Sequence, residues 1–430
     1  MNMAADSSDA GSPALEAAHT AVLQTLPLFE MMRMRAATTA RRHPVLGFAS
    51  DDRASSMRWV NHFTHTHRRI GPDDREVVSP NNDTVFSNAW LDLSRGPVLI
   101  DTPDMGERYW TLGLLDAWTN PFAYVGRRTT GNRRQRTLVH GPSWEGPVPD
   151  GVDNVISATG EDVWVIGRLL VDDRPDDLEQ AAALQRGITT HRPDGGVAAF
   201  RVDTVLHGGA GGAGGAPDAA LYRAMIDDAL ARNPVPAGER LCWPVDGATL
   251  AQALPLVYEE LRQKAQPHAL GGGWALPVAV RTHWGEDVEM RARVARNFIG
   301  ALGIEEAMYP TAEVDASGAL LDGSHAYELK FEPDAVPEVD AFWSLTLYRR
   351  SDCLLVANPA NRYSVGDRLP GLQWGADGSL SIRIQSEDPG TAHNWLPAPP
   401  GEAFFVVLRL YQPRRRHLEF RFPYPPLRRL

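Results

Sequence analysis

The chain has 430 residues, 43% of them apolar and 23% charged, with a formal net charge of -11 and a pI near 5.6. That is enough for two or three domains, each with a sizeable core, and the acidic balance argues against nucleic acid, whose binders carry a basic face. Two cysteines, Cys242 and Cys353, are too few for a disulfide framework and suit a reducing compartment.

The opening MNMAADSSDAGSPALEAAH has no basic n-region and no apolar h-region, so the expectation is a disordered start and a cytoplasmic protein. No run approaches the ~18 to 20 apolar residues needed to cross a bilayer. Ser12 caps a helix opened by Pro13, in which Leu15, Ala18, Val22, Leu26 and Phe29 recur at helical spacing to about Arg35. Pro27 should kink or split it. Residues 1–44 form this start, and residues 45–173 an N-terminal β module built on VLIDTPD, YWTLGLLDAWTNPFAYVG and VWVIGRLLVD.

Within that module the stretch SPNNDTVFSNAWLDL sets Asn81, Asn82 and Asp83 directly before an alternating run. Val85, Ser87, Ala89, Leu91 and Leu93 share one face and Phe86, Asn88, Trp90 and Asp92 the other. The polar cluster is either turn chemistry or a site at a strand mouth.

Residues 174–304 read as a helical bridge, with helices over 175–186, 218–232, 249–264 and 287–302. Inside it, HGGAGGAGGAP over 207–217 contains a formal GxGxxG at Gly209, Gly211 and Gly214. The second strand and acidic residue of a dinucleotide fold do not follow, so this is a flexible loop and no nucleotide cofactor is expected. Residues 305–430 return to strands in a C-terminal β-sandwich: AYELKF, AFWSLTLYR, LSIRIQ and FFVVLRLY. The tail RRRHLEFRFPYPPLRRL reads as a closing strand through Leu418, Phe420 and Phe422 rather than a membrane-surface patch.

The chain lacks GxSxG, HExxH and Walker signatures. In HFTHTH, His65 and His67 share a strand face, with His62 beside them, but a third ligand from Glu76 or Asp83 has no support in the spacing. No metal is assigned, and a His-rich turn is preferred. In LLDAWTN, Asp116, Trp118 and Asn120 fall on one strand face, a floor for a small organic or sugar ligand. Arg168, amid the apolar residues of VWVIGRLLV, requires an acidic partner such as Asp116 or Asp83, or an anionic ligand. Asn358, Asn361, Arg362 and Asp367 line a polar rim or form turns, while Trp343, Trp395 and Phe404 are core.

PNNDTVFSNAWLDL, PDMGERYWTLGLLDAWTNPFAYVGRRTTG, YPTAEVDASGALLDGSHAYELKF, FWSLTLY, NRYSVGDR, DGSLSIRIQ and NWLPAP resemble, in order from about residue 20 to 412, the paired domains of unknown function twelve-fifty-four and twelve-fourteen. The resemblance implies two antiparallel β modules, the second jelly-roll-like, joined by helices. It implies hydrolase-like or carbohydrate-directed activity for some members, many of them exported. Those relatives have a His at His65 but commonly a basic residue near His67, which tells against a metal. WPVDGATLAQALPLV and VRTHWGEDVEMRARVA depart from the family's glycine-rich pattern.

The resulting expectation is an α+β enzyme acting on a small polar organic molecule, by hydrolysis or elimination, in a cleft of the N-terminal module. Asp83 or Asp116 is the base, His65 the acid, Arg168 an anion clamp, and Asn81, Asn82, Trp118 and Asn120 orient substrate. The alternative is a non-catalytic small-molecule or carbohydrate-binding protein. A homo-oligomer is left open.

Overall fold

A computed structural model describes residues 12–40, 59–75, 77–201, 215–263, 266–281, 284 and 287–430. The alternation in Thr84–Asp92 does what it predicts: Val85, Ala89 and Leu91 enter one core and Trp90, on the other face, enters a second. This strand lies in a five-stranded antiparallel sheet, ordered Thr64–His65, Thr84–Asp92, Asp162–Leu170, Trp110–Leu115, Pro121–Gly126. A four-stranded sheet, Thr189–His191, Val98–Thr102, Gln135–His140, Asn154–Ser157, shares its first core through Ile100 and Val139.

The N-terminal helix is not split at Pro27 but runs unbroken from Pro13 to Ala40. An interior proline costs about 3 kcal/mol; burial of Ala18, Val22, Leu26 and Phe29 offsets it, each such aliphatic or aromatic side chain contributing roughly 1.5–3 kcal/mol apart from the smaller alanine. These residues pack on Ala219–Leu230, Gly247–Arg262 and Val288–Asn297 through Tyr222, Ile226, Leu254, Val257 and Ala292. Asp218, Asp246 and Asp287 cap the three helices by accepting backbone N–H bonds. The stretch read as a helical bridge is mixed: His268–Gly271 and Trp274–Leu276 lie within it and join the C-terminal sheet. Most of the glycine tract, residues 207–214, lies outside the described residues, as does Glu76.

In the C-terminal part, one sheet is ordered His268–Gly271, Trp274–Leu276, Thr311–Ala312, Phe404–Pro413, Val339–Arg349, Ser364–Gly366, with Ala307–Met308 also pairing on Phe404–Pro413. A second is ordered Asn394–Pro397, Leu380–Gln385, Tyr327–Phe331, Leu427–Arg429. Leu345, Leu347, Val406 and Leu408 of the first share a core with Leu329, Ile382, Ile384 and Leu427 of the second. The fold is therefore α+β and mostly antiparallel, as expected. The tail differs from expectation: Arg415–Leu418 is one helical turn, and the closing strand is Leu427–Arg429. His417 is buried there, with Nδ1 on Tyr424 Oη at 2.8 Å and Nε2 accepting from Glu338 N at 3.1 Å, so the ring packs inward where a strand would alternate.

Strand periodicity also decides what joins the modules. Since Leu345, Leu347, Val406 and Leu408 point into the C-terminal core, Phe342, Ser344, Thr346 and Tyr348, with Phe405, Val407, Arg409 and Tyr411, point out of the opposite face. On Asp162–Leu170, Val165 and Leu169 point into the first N-terminal core, which leaves Arg168 and Leu170 on the other side. The two leftover faces meet: Tyr109 and Leu170 pack with Phe342 and Tyr411. The Phe342 and Tyr411 rings stack at 4.1 Å and Tyr109 meets both edge-on, pairs worth about 0.5–1.5 kcal/mol each beyond area burial.

Candidate functional site

The stretch Ser79 to Asp83 lies along this seam and bonds to the C-terminal module almost residue by residue. The Ser79 carbonyl accepts from Arg409 Nη2 at 2.7 Å, and the Pro80 carbonyl accepts from Tyr348 Oη at 2.7 Å. Asn81 Nδ2 donates to Tyr411 Oη at 2.6 Å. Asp83 receives Ser344 Oγ at 2.7 Å on one oxygen and Arg368 Nη2 at 2.8 Å on the other. Turn formers are suited to this, because their short side chains and freed carbonyls present many polar atoms in little space. PNND is an inter-module clasp.

Beside it lies a small hollow of about 20 Å³, room for about one water, lined by Arg69, Asp83, Asp173, Ser344, Ser364 and Arg368. Gly366 fixes its C-terminal wall, since a Cβ there would stand 2.3 Å from the Trp343 carbonyl oxygen. That close approach positions Asp367 and Arg368 immediately after Ser364–Gly366. The Arg368 guanidinium also lies over the Phe342 ring at 4.2 Å. Its other flank is Asp367, whose Oδ1 is 3.9 Å from Nε and whose side chain keeps 31% of its surface exposed. Packing around the Asp367 carboxyl pushes it up to about 6, with Arg368 opposing the shift. Three carboxylates thus stand around one guanidinium: Asp83, buried and charge-paired, Asp172, 3.7 Å from Nη1, and Asp367, part-exposed and ready to take a proton near neutral pH.

Deeper in the seam are two further arginines. Arg168 Nη1 donates to Tyr309 Oη at 2.6 Å. Arg409, besides Ser79, donates to Tyr348 Oη and lies over the Tyr309 ring at 5.3 Å. Burial pushes the Tyr411 hydroxyl well above the usual phenol range, so it stays neutral between them. Nearby, Glu306 accepts from Tyr109 Oη at 2.9 Å and from Arg128 Nε at 2.7 Å.

The expected site residues do not converge as anticipated. Asp83 and Arg168 both reach the seam, but Arg168 pairs with neither Asp83 nor Asp116. Asp116, Trp118 and Asn120 do not share a strand face: the strand ends at Leu115, and the chain turns through Thr119 at φ 69°. Asp116 closes this turn, accepting from the backbone N–H of Trp118 and Asn120 and from Asn120 Nδ2, each at 2.9 Å, and from Thr159 Oγ1 at 3.2 Å. Its neighbour Leu115 pairs with Trp164, while the Asp83 carbonyl accepts from Val171 N. At ~3.3 Å per residue the two acids are roughly 20 Å apart along the sheet. Trp118 belongs to the helical core and donates to the Pro234 carbonyl.

His65 is not an acid partner. It is buried on an edge strand with Nδ1 against Ser87 Oγ at 2.9 Å, and burial, reinforced by His67, His62 and Arg186, lowers it to about 3. It is neutral at ordinary pH and bonds elsewhere than Asp83. Asn82 donates to the Ile70 carbonyl at 2.5 Å, and the Asn81 amide is taken by Tyr411 and Thr84, so neither orients a ligand as placed. Among the described residues no group of three His, Cys, Asp or Glu side chains is set to hold a metal, and Glu76 lies outside them.

Sequence reading missed Arg409, Tyr309, Tyr348, Tyr411, Ser344 and Arg368. The signal for Arg409 in FFVVLRLY is the one that marked Arg168, a cation inside an apolar run. Arg368 immediately follows the marked Asp367. Asn358 and Arg362 serve their own loop instead: Asn358 bonds the Arg362 backbone at both ends, and Arg362 donates to the Trp395 carbonyl. A larger hollow of about 210 Å³, lined by Asn61, Arg95, Val98, Arg192 and Phe200, holds no such carboxylate pair. Its cations are engaged, Arg95 over Phe200 and Arg192 with Asp194.

Fold and seam together define a protein of two docked β modules with a helical layer. Residues 60–192 match the family described as Protein of unknown function (DUF1254), and residues 306–415 the family described as Protein of unknown function (DUF1214); the chain belongs to the family that carries these two domains in this order. A crystal structure of the VPA0106 protein from Vibrio parahaemolyticus is similar at a TM-score of 0.69 and 21% identity, over 97% of this chain and 100% of that one, and shows the fold. An uncharacterized protein from Burkholderia cenocepacia aligns at a TM-score of 0.45 and 13% identity, over 97% and 94%. No curated protein matches the chain. Among the described residues no helix is long and apolar enough to cross a membrane.

Proposed function

We propose that the protein is an enzyme acting on a small polar organic molecule by acid/base chemistry, hydrolysis or elimination, at the seam rather than in a cleft of the N-terminal module alone. The observation that carries this reading is that Asp83, in the lining of a polar hollow, and its neighbour Asp367 both lie within ion-pair distance of Arg368. A general base and a general acid need carboxyl groups in different environments. Asp83, hydrogen-bonded by Ser344 and Arg368, is the base; it uses two of about four lone-pair sites on them. Asp367, raised to about 6, is the acid. Ser344 is buried and donates to Asp83, which holds the carboxylate in place.

Two finer readings accompany this one. The C-terminal module is jelly-roll-like, on the ground that two sheets close over one core, and the cytoplasm is the place of action, an inference from the sequence alone. The alternative function is a non-catalytic binding protein using the same hollow.

The test is depletion of a mixture of small polar metabolites, followed by mass spectrometry, with the wild type beside Asp367→Asn. Turnover by the wild type, lowered on the order of 10²-fold or more in the variant, supports the acid role. A compound retained by the protein and never consumed supports the binding alternative.

A further inference from the structure

Several guanidinium groups stand at the seam, Arg69 beside Asp173 among them. Arg128 has Glu306 at 2.7 Å and Arg368 has Asp83 at 2.8 Å. Arg168 and Arg409 have no carboxylate within ion-pair distance among the described residues; their partners are tyrosine hydroxyls and one backbone carbonyl. Arg409 is only 5% exposed and Arg168 is half-buried, and the Nε atoms of both are buried without a hydrogen-bond partner. Tyrosine hydroxyls do not neutralise a cation here, because Tyr348 and Tyr411 are themselves driven further from ionisation by burial.

An arginine taken out of water without a counter-charge is costly, and two arginines around one tyrosine cluster add mutual repulsion. A fold with no use for the charge would place apolar side chains at both positions, as it does at Val407 and Leu170 on the same faces. Arginine's planar fork suits a two-oxygen anion. Tyr309, half-buried, stands at both arginines.

We propose that the seam binds a small oxyanion, a carboxylate or phosphate group on a small molecule, between Arg168 and Arg409, with Tyr309 as the movable hydroxyl. This deepens the reading above and rests on the seam being the functional site. The ligand's anionic group enters the tyrosine–arginine cluster, and the rest of it extends toward Asp83 and Asp367.

The experiment titrates inorganic phosphate and, separately, benzoate at an ionic strength held constant with chloride, reading melting temperature and calorimetric heat for the wild type and Arg168→Met. The expected result has two parts. At least one probe raises the wild-type melting temperature saturably and leaves the variant unmoved, and the variant without anion melts higher than the wild type, because a half-buried charge with no carboxylate partner has gone. Response to phosphate alone identifies a phosphate-bearing ligand; response to benzoate alone identifies a carboxylate. Should Arg168→Met fail to fold, Arg168→Lys keeps the charge and should bind at least about tenfold more weakly, since the two-pronged contact is lost. Neither probe acting saturably on the wild type, or a folded Arg168→Met that melts lower than the wild type, overturns the proposal. Binding is read without turnover, so an Asp367→Asn protein that binds the anion normally and turns over normally would sink the acid role while leaving the anion site standing.

Discussion

Ser344 Oγ donates to Asp83 Oδ2 at 2.7 Å across 261 residues of chain, joining the mouth of an N-terminal strand to the middle of a C-terminal one. With Arg368 on the other oxygen, Asp83 has both a stabilising and a chemical part to play, and the two can be separated.

Asp83→Asn should cost on the order of 1–3 kcal/mol, because hydrogen bonds to a charged group are weakened and Arg368 loses its nearest counter-ion, keeping only Asp172 and Asp367 at 3.7 and 3.9 Å. Arg368 keeps some solvent contact, which limits the loss. Adding Arg368→Gln should recover part of the stability and none of the turnover. A double-mutant cycle of melting temperatures and rates checks this; turnover that returns with stability would make Asp83 a clasp and nothing more.

The pH dependence of stability has two opposing sources. His65 and His417 are each lowered from an ordinary 6.5 to about 3 by burial. The folded protein therefore binds fewer protons than the unfolded chain between about 3 and 6.5, so their contribution rises with pH across that window and is complete above it. Asp367, raised from 3.8 to about 6, acts in reverse, and its contribution falls as pH rises between those values. Two histidines with larger shifts outweigh one part-exposed carboxyl, so net stability should climb from about pH 4 to 6.5. His65→Gln should flatten the climb and Asp367→Asn should steepen it, as read from melting curves across the range.

His65→Gln also tests chemistry. With its ring neutral and bonded to Ser87, the substitution should leave turnover within about twofold, far from the 10²-fold loss of a general acid. A loss of that larger size would restore His65 to the mechanism.

Asp116→Asn should destabilise by about 1–3 kcal/mol and leave activity unchanged in the folded fraction. The new amide would set a donor against Asn120 Nδ2 and Thr159 Oγ1, which both donate to that oxygen. A drop in rate without a drop in melting temperature would contradict the turn role.

How much of this was legible depended on distance along the chain. The alternation in Thr84–Asp92, the capped helices and the α+β class are local, and the sequence pattern carries them. The polar cluster at Asn81 to Asp83 was legible as a strand mouth, and Arg168 as a buried cation. Their partners were not, because Tyr411 is 330 residues from Asn81 and Tyr309 is 141 from Arg168, and no spacing rule reaches that far. Asp116 misled for the opposite reason. LLDAWTN keeps a strand's alternation straight through a turn, and only Asn120 and Pro121 warned of it. Asp367 was marked as a rim residue while its neighbour Arg368, which places it, was passed over.

The clasp also sets an order of events during synthesis. Asn81 is made 330 residues before Tyr411, its partner, and at roughly 5–20 residues per second the N-terminal sheet waits roughly a quarter of a minute to a minute for the surface that covers it. Through that interval Tyr109 and Leu170 stand exposed on the ribosome-tethered chain, an invitation to wrong partners. Arg168 lies on that same leftover face, so a charge stands beside those apolar side chains for as long as the face is bare.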